Sequence, residues 1–451
     1  MNKMDIYNKL PVWGQNLACC YEGNRIKRTR YGKDFQKYLV EYRNRANWNY
    51  EQLCEYRNQK LYKMVQHAYK TVPYYKKVFN ERGLDPKKIR TLDDLKLLPI
   101  LTKATIKENP SMFISSEYNI YHLVKCYTGG TTGSGFLFYK EAKNISEQWA
   151  LWWKYRNELG IKYGTMCGNF GGKLVVPSNC TKGPYWRENY PCMQIIFDEY
   201  HLNRETMLSY IDAIKKYDIH WIHGYASNIS RLASWMNEKG LVCLMNYVTT
   251  GGDNLYDYQK KQIKDAFGVW PFQHYGASEG VANFSQDKNG IIRIDEDFSA
   301  VEIISSSNGD NKIVGTTLSN YAMPFLRYDT GDLVGNVKIP DNLEKGGRVV
   351  ESIYGREACC IPLKNGGVLG EPAFSLIFEY IPNIVAAQIV QTKEDILIFN
   401  VIRNKYYNNM DEKKLCYEIR SRLGDREKFK VNYVEELKRT KSGKIVPMIK
   451  E

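Results

Sequence analysis

Three segments in the middle of the chain share one pattern, an apolar strand-like run that ends in a turn containing glycine. They are residues 220–225 (HWIHGY), 246–253 (NYVTTGGD) and 268–278 (GVWPFQHYGAS). Helix-like segments separate them, so helices and strands alternate along the chain. This alternation predicts an α/β fold, in which ligand contacts lie at the turns that follow the strands.

The length of 451 residues is enough for several domains, and 43% hydrophobic residues provide a substantial core. Residues 1–100 are predicted to be a helical region that belongs to a large N-terminal domain, residues 1–354. Residues 300–338 have β-type patterns. The predicted boundary falls at the sequence IYGREACC, so residues 355–451 form a second, smaller domain.

The first nine residues include three charges and no apolar core, which argues against a secretory signal. The most apolar long stretch, residues 372–390, contains Glu379 and Pro382, so a membrane-spanning helix is not expected. We therefore expect a cytoplasmic protein without a transmembrane segment, and peripheral membrane association remains open.

Residues 24–45 carry eight Lys or Arg against two acidic residues, within a chain of formal net charge +14. Such a run can contact nucleic acid or anionic lipid. A solvated helix face is the favoured interpretation, because basic runs of this size are common on protein surfaces. No nucleic-acid partner is expected.

The first candidate ligand site is the glycine-rich segment Tyr127–Gly135. Its four glycines let the backbone approach a ligand, and its hydroxyl and amide groups can surround phosphate oxygens. It does not match the P-loop pattern, since no lysine follows the last glycine. On composition alone, a tight structural hairpin remains nearly as good an interpretation.

Three further segments carry groups that suit a nucleotide. In residues 273–280, the Tyr275 ring can stack on a purine and the Glu279 carboxylate can hold Mg²⁺. In residues 327–332, an aspartate after a strand can accept hydrogen bonds from a ribose diol. In residues 439–444, a glycine-containing loop carries a lysine that can reach developing negative charge.

The order and spacing of these four segments resemble the adenylate-forming superfamily of acyl-CoA synthetases, nonribosomal adenylation domains and luciferases. The runs VPYYKKVFNERG, LDDLKLLPILTKATIKENP and IHGYASNISRLASWMNEKG narrow the resemblance to the phenylacetate-CoA ligase branch and its CapK-type capsule-biosynthesis relatives. It extends from about Asn49 to Lys444. The resemblance implies a large multi-sheet α/β adenylation domain, with αβαβα layers and a β-barrel-like subdomain, followed by a small α+β C-terminal lid domain.

The resemblance also implies a role for each matching residue. Glu279 would ligate Mg²⁺ with Ser278 assisting at the α-phosphate, and Lys444 would be the mobile catalytic lysine. His223, Gly224 and Tyr225 would border the acyl pocket. The nucleotide-binding residues would be Thr128, Gly129, Gly130, Thr131, Thr132, Gly133, Gly251, Gly252, Asp253, Tyr275, Gly276, Asp332 and Arg356.

The function implied is activation of a small carboxylic acid by ATP and Mg²⁺ as an acyl-adenylate, with release of pyrophosphate. The acyl group would then pass to coenzyme A, or to an amine or hydroxyl of a glycan precursor. The chain departs from the family at Gly129, at Ser134-Gly135, where Lys-Pro is usual, and at Ala358 in the hinge. A nucleotide-binding protein that has lost turnover is therefore a rival interpretation.

Other constellations are weaker. His220 and His223 form an HxxH pattern, for which a packed strand end is favoured over a metal site. Cys167, Cys180 and Cys192 are favoured as buried thiols over zinc ligands, because their spacing is not that of a compact knuckle. The aromatic run at residues 149–155 predicts a helix packed into the core, with lining of a substrate pocket as the alternative.

Overall fold

Helices and strands alternate along this chain as the sequence predicts. The computed structural model describes residues 3–127, 136–171, 173, 175–177, 180–198, 201–305, 311–341, 344–356, 361–362, 368–369, 377–378, 381, 383–423, 427–439 and 445–451. The α-helices in these ranges are α1 (Lys3–Lys9), α2 (Val12–Arg30), α3 (Phe35–Arg45), α4 (Tyr50–Thr71), α5 (Pro73–Glu81), α6 (Leu92–Leu95), α7 (Lys103–Glu108), α8 (Ala142–Leu159), α9 (Met207–Lys216), α10 (Ala226–Glu238), α11 (Asp257–Phe267) and α12 (Asn409–Leu423).

The strands are numbered in the same way. They are β1 (Val124–Tyr127), β2 (Leu137–Lys140), β3 (Cys167–Phe170), β4 (Trp186–Asn189), β5 (Gln194–Phe197), β6 (Trp221–Gly224), β7 (Tyr247–Gly251), β8 (Phe272–Gly276), β9 (Asn283–Gln286), β10 (Ile292–Ile294), β11 (Ser299–Ser305), β12 (Asn311–Thr317), β13 (Tyr328–Val334), β14 (Val337–Lys338), β15 (Val349–Val350), β16 (Ile353–Arg356), β17 (Ile361–Pro362), β18 (Val368–Leu369), β19 (Ile384–Gln391), β20 (Ile396–Arg403), β21 (Lys428–Tyr433) and β22 (Met448–Lys450).

The helices of the N-terminal region begin and end at residues whose side chains favour a helix start or a helix end. Asn49 accepts a hydrogen bond from the Gln52 backbone, and the Gln52 side chain accepts one from the Asn49 backbone. Pro73 ends this helix and occupies the first turn of α5, where its missing N–H is not needed. Thr102 caps α7 by accepting a hydrogen bond from the Thr105 backbone.

The described residues fall into two units. The first unit comprises residues 1–24, 164–273 and 354–451, and the second comprises residues 25–163 and 274–353. The chain passes from the first to the second within α2. The predicted domain boundary between residues 354 and 355 stays a prediction, because residues 354–451 share a unit with residues 164–273.

In the first unit, β7, β6, β3, β5 and β4 are neighbours in that order. The pairings β7–β6, β6–β3 and β3–β5 are parallel, and β4 is antiparallel to β5. Apolar side chains of α9, α10 and α11 pack with those of the sheet in one continuous core. The carboxyl ends of β6 and β7 therefore carry two of the three glycine turns recognised in the sequence.

The C-terminal part of the first unit is a small α+β module. Its four strands follow the order β21, β20, β19, β22, with the central pair antiparallel and both outer pairs parallel. Leu415 and Ile419 of α12 pack with the sheet residues Ile389 and Phe399. This is the strand and helix content predicted for the small domain.

In the second unit, β11, β12 and β13 form an antiparallel sheet, as predicted for residues 300–338. Strand β9 pairs antiparallel with β8 and with β10, and β15 pairs antiparallel with β10 and with β14. Trp153 and Tyr155 of α8 are buried, which confirms that the aromatic run at residues 149–155 is a packed helix.

The basic run at residues 24–45 is only partly a solvated helix face. Lys27 and Arg28 are exposed near the end of α2. Arg45 differs, because it is 9% exposed and its Nε lies 2.8 Å from Asp297 Oδ2. Arg30 lies over the Trp149 ring at 3.9 Å. Part of the charge in this run therefore stabilises the interior of the second unit.

No helix within the described ranges is long and apolar enough to cross a membrane.

Candidate active site

The turn that carries the predicted magnesium ligand joins β8 to β9. Tyr275 lies opposite Phe284 and Gly276 lies opposite Asn283 in the antiparallel pair. A Cβ on Gly276 would come within 2.9 Å of Asn283 Oδ1, so any larger residue would force the Asn283 side chain to shift. Ser278 is exposed in the turn, whereas Glu279 is buried. The local backbone thus turns the carboxylate inward.

Glu279 is a buried carboxylate held by a hydroxyl group. The Tyr328 hydroxyl donates to Glu279 Oε1 at 3.1 Å. Burial raises the pKa of Glu279, while the Tyr328 hydrogen bond and the charge of Lys140 act to lower it. A divalent cation would favour the ionised form further, so this carboxyl group suits a metal bound together with phosphate oxygens.

Lys140 is a buried cation beside this turn that sequence analysis did not single out. Its Nζ donates to Gln148 Oε1 at 3.2 Å, and Gln148 Nε2 donates to the Ala277 carbonyl at 3.1 Å. A Cβ on Gly280, whose φ is 76°, would lie 3.2 Å from Lys140 Nζ. Burial lowers the pKa of Lys140. Within the second unit, the Lys140 amino group therefore lies beside the turn that carries Glu279.

The sequence held a signal for Lys140. Strand β2 continues the alternation of buried Phe136 and Phe138, and this period of two places Lys140 on the same buried face. A lysine on a buried strand face, five residues after the glycine-rich segment, is unusual enough to mark a functional candidate.

Tyr275 and Asp332, predicted for adenine and ribose, lie within hydrogen-bond distance of each other. The Tyr275 hydroxyl donates to Asp332 Oδ2 at 2.7 Å. The Tyr275 ring packs against Phe284, with centroids 5.0 Å apart. Burial, followed by the Asp332 charge, raises the pKa of Tyr275 well above its usual value. The two side chains therefore lie together, and their roles toward a nucleotide stay predictions.

In the first unit, the turn after β7 is tied to the start of α10. Asp253 accepts hydrogen bonds from the Ala226 backbone at 2.7 Å and the Ser227 backbone at 3.0 Å. Both carboxylate oxygens thus cap the positive end of this helix. The Asp253 side chain positions the turn, and Gly252, with φ of 87°, completes it.

The predicted acyl-pocket residues lie at the end of β6. His223 Nδ1 lies 2.9 Å from Thr249 Oγ1, to which Trp221 Nε1 donates at 2.9 Å. A Cβ on Gly224 would lie 2.3 Å from the Phe170 carbonyl oxygen. Gly224 is therefore required by the close approach of β3 and β6, whatever its role toward substrate.

The weaker metal candidates have separate partners. His220 Nε2 lies 2.9 Å from Asp218 Oδ1. Cys180 donates to the Lys182 carbonyl, Cys192 donates to the Gly23 carbonyl, and Cys167 is buried in β3. In the part of the chain that the structure describes, no group of three or more His, Cys, Asp or Glu could hold a metal ion.

Several predicted residues lie outside the described residues. They are Thr128, Gly129, Gly130, Thr131, Thr132, Gly133, Ser134, Gly135, Ala358 and Lys444, and only the backbone of Arg356, in β16, is described. Their assignments stay predictions.

The described ends of the segment that carries Lys444 are firmly held. Arg439 and Ile445 form an antiparallel bridge. The fully buried Gln388 donates to the Lys438 carbonyl at 3.0 Å and to the Val446 carbonyl at 2.7 Å, so one amide joins both flanks. Arg439 Nη1 also donates to Asn228 Oδ1 on α10 at 3.0 Å. The residues on either side of the segment are therefore held close to each other.

Comparisons with known proteins agree with the resemblance predicted from the motifs. A protein-family model described as the CapK C-terminal domain matches residues 363–451. The chain is 26% identical to Protein CapK of Staphylococcus aureus over 444 residues, which cover 97% of each protein. It is 26% identical to phenylacetate-coenzyme A ligase of Thermus thermophilus over 302 residues, or 63% of this chain and 65% of that protein.

The fold class is confirmed by a solved structure. The crystal structure of 2-hydroxyisobutyryl-CoA ligase in the postadenylation state matches 90% of this chain and 91% of that chain, with a TM-score of 0.68 and 15% sequence identity. At this identity the likeness shows the fold alone. The predicted resemblance to phenylacetate-CoA ligases and CapK-type proteins is confirmed by the sequence similarity to proteins of those names.

Proposed function

We propose that this protein is an ATP- and Mg²⁺-dependent ligase that activates a carboxylic acid as an acyl-adenylate and passes the acyl group to an acceptor. The observation that carries the proposal is the arrangement in the second unit. Glu279 lies in the turn after β8, with Tyr328 and Lys140 beside it. Tyr275, which precedes that turn on β8, donates a hydrogen bond to Asp332 of β13. The similarity to phenylacetate-coenzyme A ligases supports the same reaction class.

The chemistry needs positive charge rather than a general base. A carboxylate is already ionised at neutral pH and can attack the α-phosphorus of ATP directly once the repulsion between the two anions is neutralised. Mg²⁺ supplies part of that charge when bound. Glu279 would hold it, Lys140 would add a fixed cation nearby, and Lys444 would bridge the substrate carboxylate and the α-phosphate.

Lys140 is a candidate replacement for the lysine that the family usually has at the end of the glycine-rich segment and that this chain lacks. Residue 134 is serine where the family usually has lysine. Lys140 follows six residues later, on the strand that leaves the segment, and its ammonium group is buried at the Glu279 turn. We infer that Lys140 supplies positive charge that this segment lacks, which argues against the non-catalytic rival.

We propose two candidate acceptors for the acyl group. Coenzyme A is favoured by the similarity to several phenylacetate-coenzyme A ligases. An amine or hydroxyl of a glycan precursor is the second candidate, because the similarity to Protein CapK extends over nearly the whole chain and the C-terminal residues match the CapK family model. A cytoplasmic location, where ATP is available, completes the proposal.

Carboxylate-dependent exchange of labelled pyrophosphate into ATP tests the first half-reaction. Lys444→Ala should lower exchange by about 10²- to 10³-fold, since it removes one preorganised charge. Lys438→Ala is the matched control, because Lys438 is exposed and pairs with Glu451, and it should exchange at the wild-type rate. Exchange at the wild-type rate in Lys444→Ala would show that Lys444 is not the catalytic lysine.

The acceptor is tested separately with the acid that supports exchange. Coenzyme A as acceptor should give a thioester and free AMP in stoichiometric amounts. A glycan acceptor should instead give turnover only when an amino or hydroxyl sugar precursor is added. ATP binding without exchange for any acid in a broad panel would favour the non-catalytic protein.

A further inference from the structure

Helix α2 buries small and polar residues and exposes large apolar ones, which is the opposite of an ordinary surface helix. A surface helix usually turns its apolar stripe to the protein and its polar residues to water. Here the buried positions are Gly14, Gln15 and Gly23. Gln15 Oε1 accepts a hydrogen bond from Arg187 Nε at 2.7 Å, so a polar contact lies where an apolar one is expected.

The inward face of α2 follows β4, the last strand in the order β7, β6, β3, β5, β4 of the first unit. Asn16 Oδ1 accepts from the Glu188 backbone at 3.2 Å, and Cys20 Sγ donates to the Glu188 carbonyl at 3.5 Å. Cys192 Sγ donates to the Gly23 carbonyl at 3.3 Å. Hydrogen bonds therefore hold the helix along this strand, and its large apolar side chains are not used for packing there.

Those apolar side chains face outward. Trp13, Leu17 and Tyr21 are 69%, 62% and 77% exposed. They are four residues apart, so they lie along one face of α2. Ile6 in α1 and Leu10 between α1 and α2 are also exposed, at 48% and 36%. An exposed row of large apolar residues of this length indicates a surface that is covered by a partner.

Basic residues follow the exposed apolar residues along α2. The last turn of α2 contains Lys27, Arg28 and Arg30, and at 100° per residue Arg28 falls between Leu17 and Tyr21 on the helix circumference. Lys27 and Arg28 are exposed. The helix thus presents an aromatic and aliphatic half followed by a basic end.

We propose that this face of α2, defined by Trp13, Leu17 and Tyr21 with the exposed basic residues Lys27 and Arg28, binds the surface of a membrane that contains anionic lipids. Tryptophan and tyrosine favour the boundary between headgroups and acyl chains, where one side of the ring is apolar and its polar atom remains hydrated. Basic residues beside such a row are attracted to anionic headgroups.

Charge complementarity favours this occupant over a second copy of the chain. A second copy would bring another molecule of formal net charge +14 to the same basic end, and like charges repel. Anionic headgroups neutralise that charge instead. The helix would lie in the interface without crossing the bilayer. This inference rests on the exposed face and does not depend on the proposed enzymatic reaction.

Sedimentation with vesicles tests the proposal. The full chain should bind vesicles of phosphatidylcholine with phosphatidylserine, bind vesicles of phosphatidylcholine alone far more weakly, and lose binding as salt increases. The double variant Trp13→Ser with Leu17→Ser should bind at least about tenfold more weakly. Lys27→Glu with Arg28→Glu should lower binding by about tenfold or more, and only to the anionic vesicles.

Matched controls use equally exposed residues elsewhere. Trp270 and Leu244 are 56% and 72% exposed, and Trp270→Ser with Leu244→Ser should leave vesicle binding unchanged. Lys87→Glu with Lys88→Glu, two exposed lysines in a short 3₁₀ helix, controls for net charge and should lower binding less than the α2 charge reversal. Far-ultraviolet circular dichroism should be the same for all variants.

Three results would overturn the proposal. The first is wild-type protein that fails to bind anionic vesicles at low salt. The second is vesicle binding that survives the α2 variants or falls equally in the controls. The third is a wild-type dimer in light scattering that Trp13→Ser with Leu17→Ser dissociates, together with absent vesicle binding, which would make the face an interface between copies.

Discussion

The hydroxyl of Tyr328 should set the pH range over which Glu279 can act. It donates to Glu279 Oε1 at 3.1 Å, and both side chains are buried. Tyr328→Phe removes this hydrogen bond and keeps the ring. Burial already raises the pKa of Glu279, and the variant loses one of the interactions that oppose this rise, so the pKa should increase further.

The size of the change follows from the energy of a hydrogen bond to a charged group. Such a bond contributes about 1.5–3 kcal/mol. The pKa of Glu279 should therefore rise, and at pH values below it the ionised fraction should fall by about 10- to 150-fold. If the ionised form binds the metal, pyrophosphate exchange at the acidic end of the activity profile should fall by about the same factor, and the acidic limb should move to higher pH.

The assay is the pH profile of pyrophosphate exchange at several Mg²⁺ concentrations. Tyr75→Phe is the control, since Tyr75 is also buried and its hydroxyl donates to the Pro324 carbonyl, a backbone partner. It should lower stability without moving the acidic limb. An unchanged limb in Tyr328→Phe, at every Mg²⁺ concentration, would refute the assignment of Glu279 as the ionised ligand.

The raised pKa of Glu279 also predicts how the free energy of unfolding changes with pH when no ligand is bound. Because folding raises the pKa of Glu279, the unfolded chain releases this proton at lower pH than the folded chain. The free energy of unfolding should therefore fall as pH rises from the ordinary glutamate range through the raised pKa. Added Mg²⁺ and ATP should reverse that fall, as measured by thermal unfolding.

Three stability predictions concern residues that shape the site. Gly224→Ala should prevent or strongly destabilise folding, because its Cβ would lie 2.3 Å from the Phe170 carbonyl oxygen, and yield of soluble protein with circular dichroism checks this. Asp253→Ala should cost about 1–2 kcal/mol in denaturant unfolding through loss of the α10 cap. Arg327→Met should cost about 3–5 kcal/mol, because it leaves Glu302 buried without its partner, whereas the double variant with Glu302→Met should recover much of that loss.

The parts of the fold that the sequence predicted are those with local causes. Residues 1–100 were predicted to be helical, and the start of α4 after Asn49 and its end before Pro73 follow from side chains within a few residues of each helix end. The strands that end in glycine turns were recognised because glycine marks close backbone approach, as it does at Gly224. The order of motifs then identified the fold, because several weak patterns at consistent spacing are far more specific than one.

The contacts that complete the site depend on residues distant in sequence. Lys140 and Glu279 are 139 positions apart in the sequence. Only the folded chain shows that Lys140 lies beside the turn that carries Glu279. The cap that Asp253 places on α10 joins two segments that the sequence gives no reason to pair. Tyr328 stood inside a recognised motif, yet its partner Glu279 was not predictable, since hydrogen-bond geometry requires the register of β13.

Transfer of an oxygen label tests the central claim most directly. Once exchange has identified an acid, that acid is prepared with ¹⁸O in its carboxylate and incubated with ATP and the acceptor. If the carboxylate attacks the α-phosphorus, one labelled oxygen must leave with AMP when the acyl group is transferred, so AMP containing ¹⁸O is the predicted result. Label found in inorganic phosphate, or AMP without label, would contradict acyl-adenylate formation.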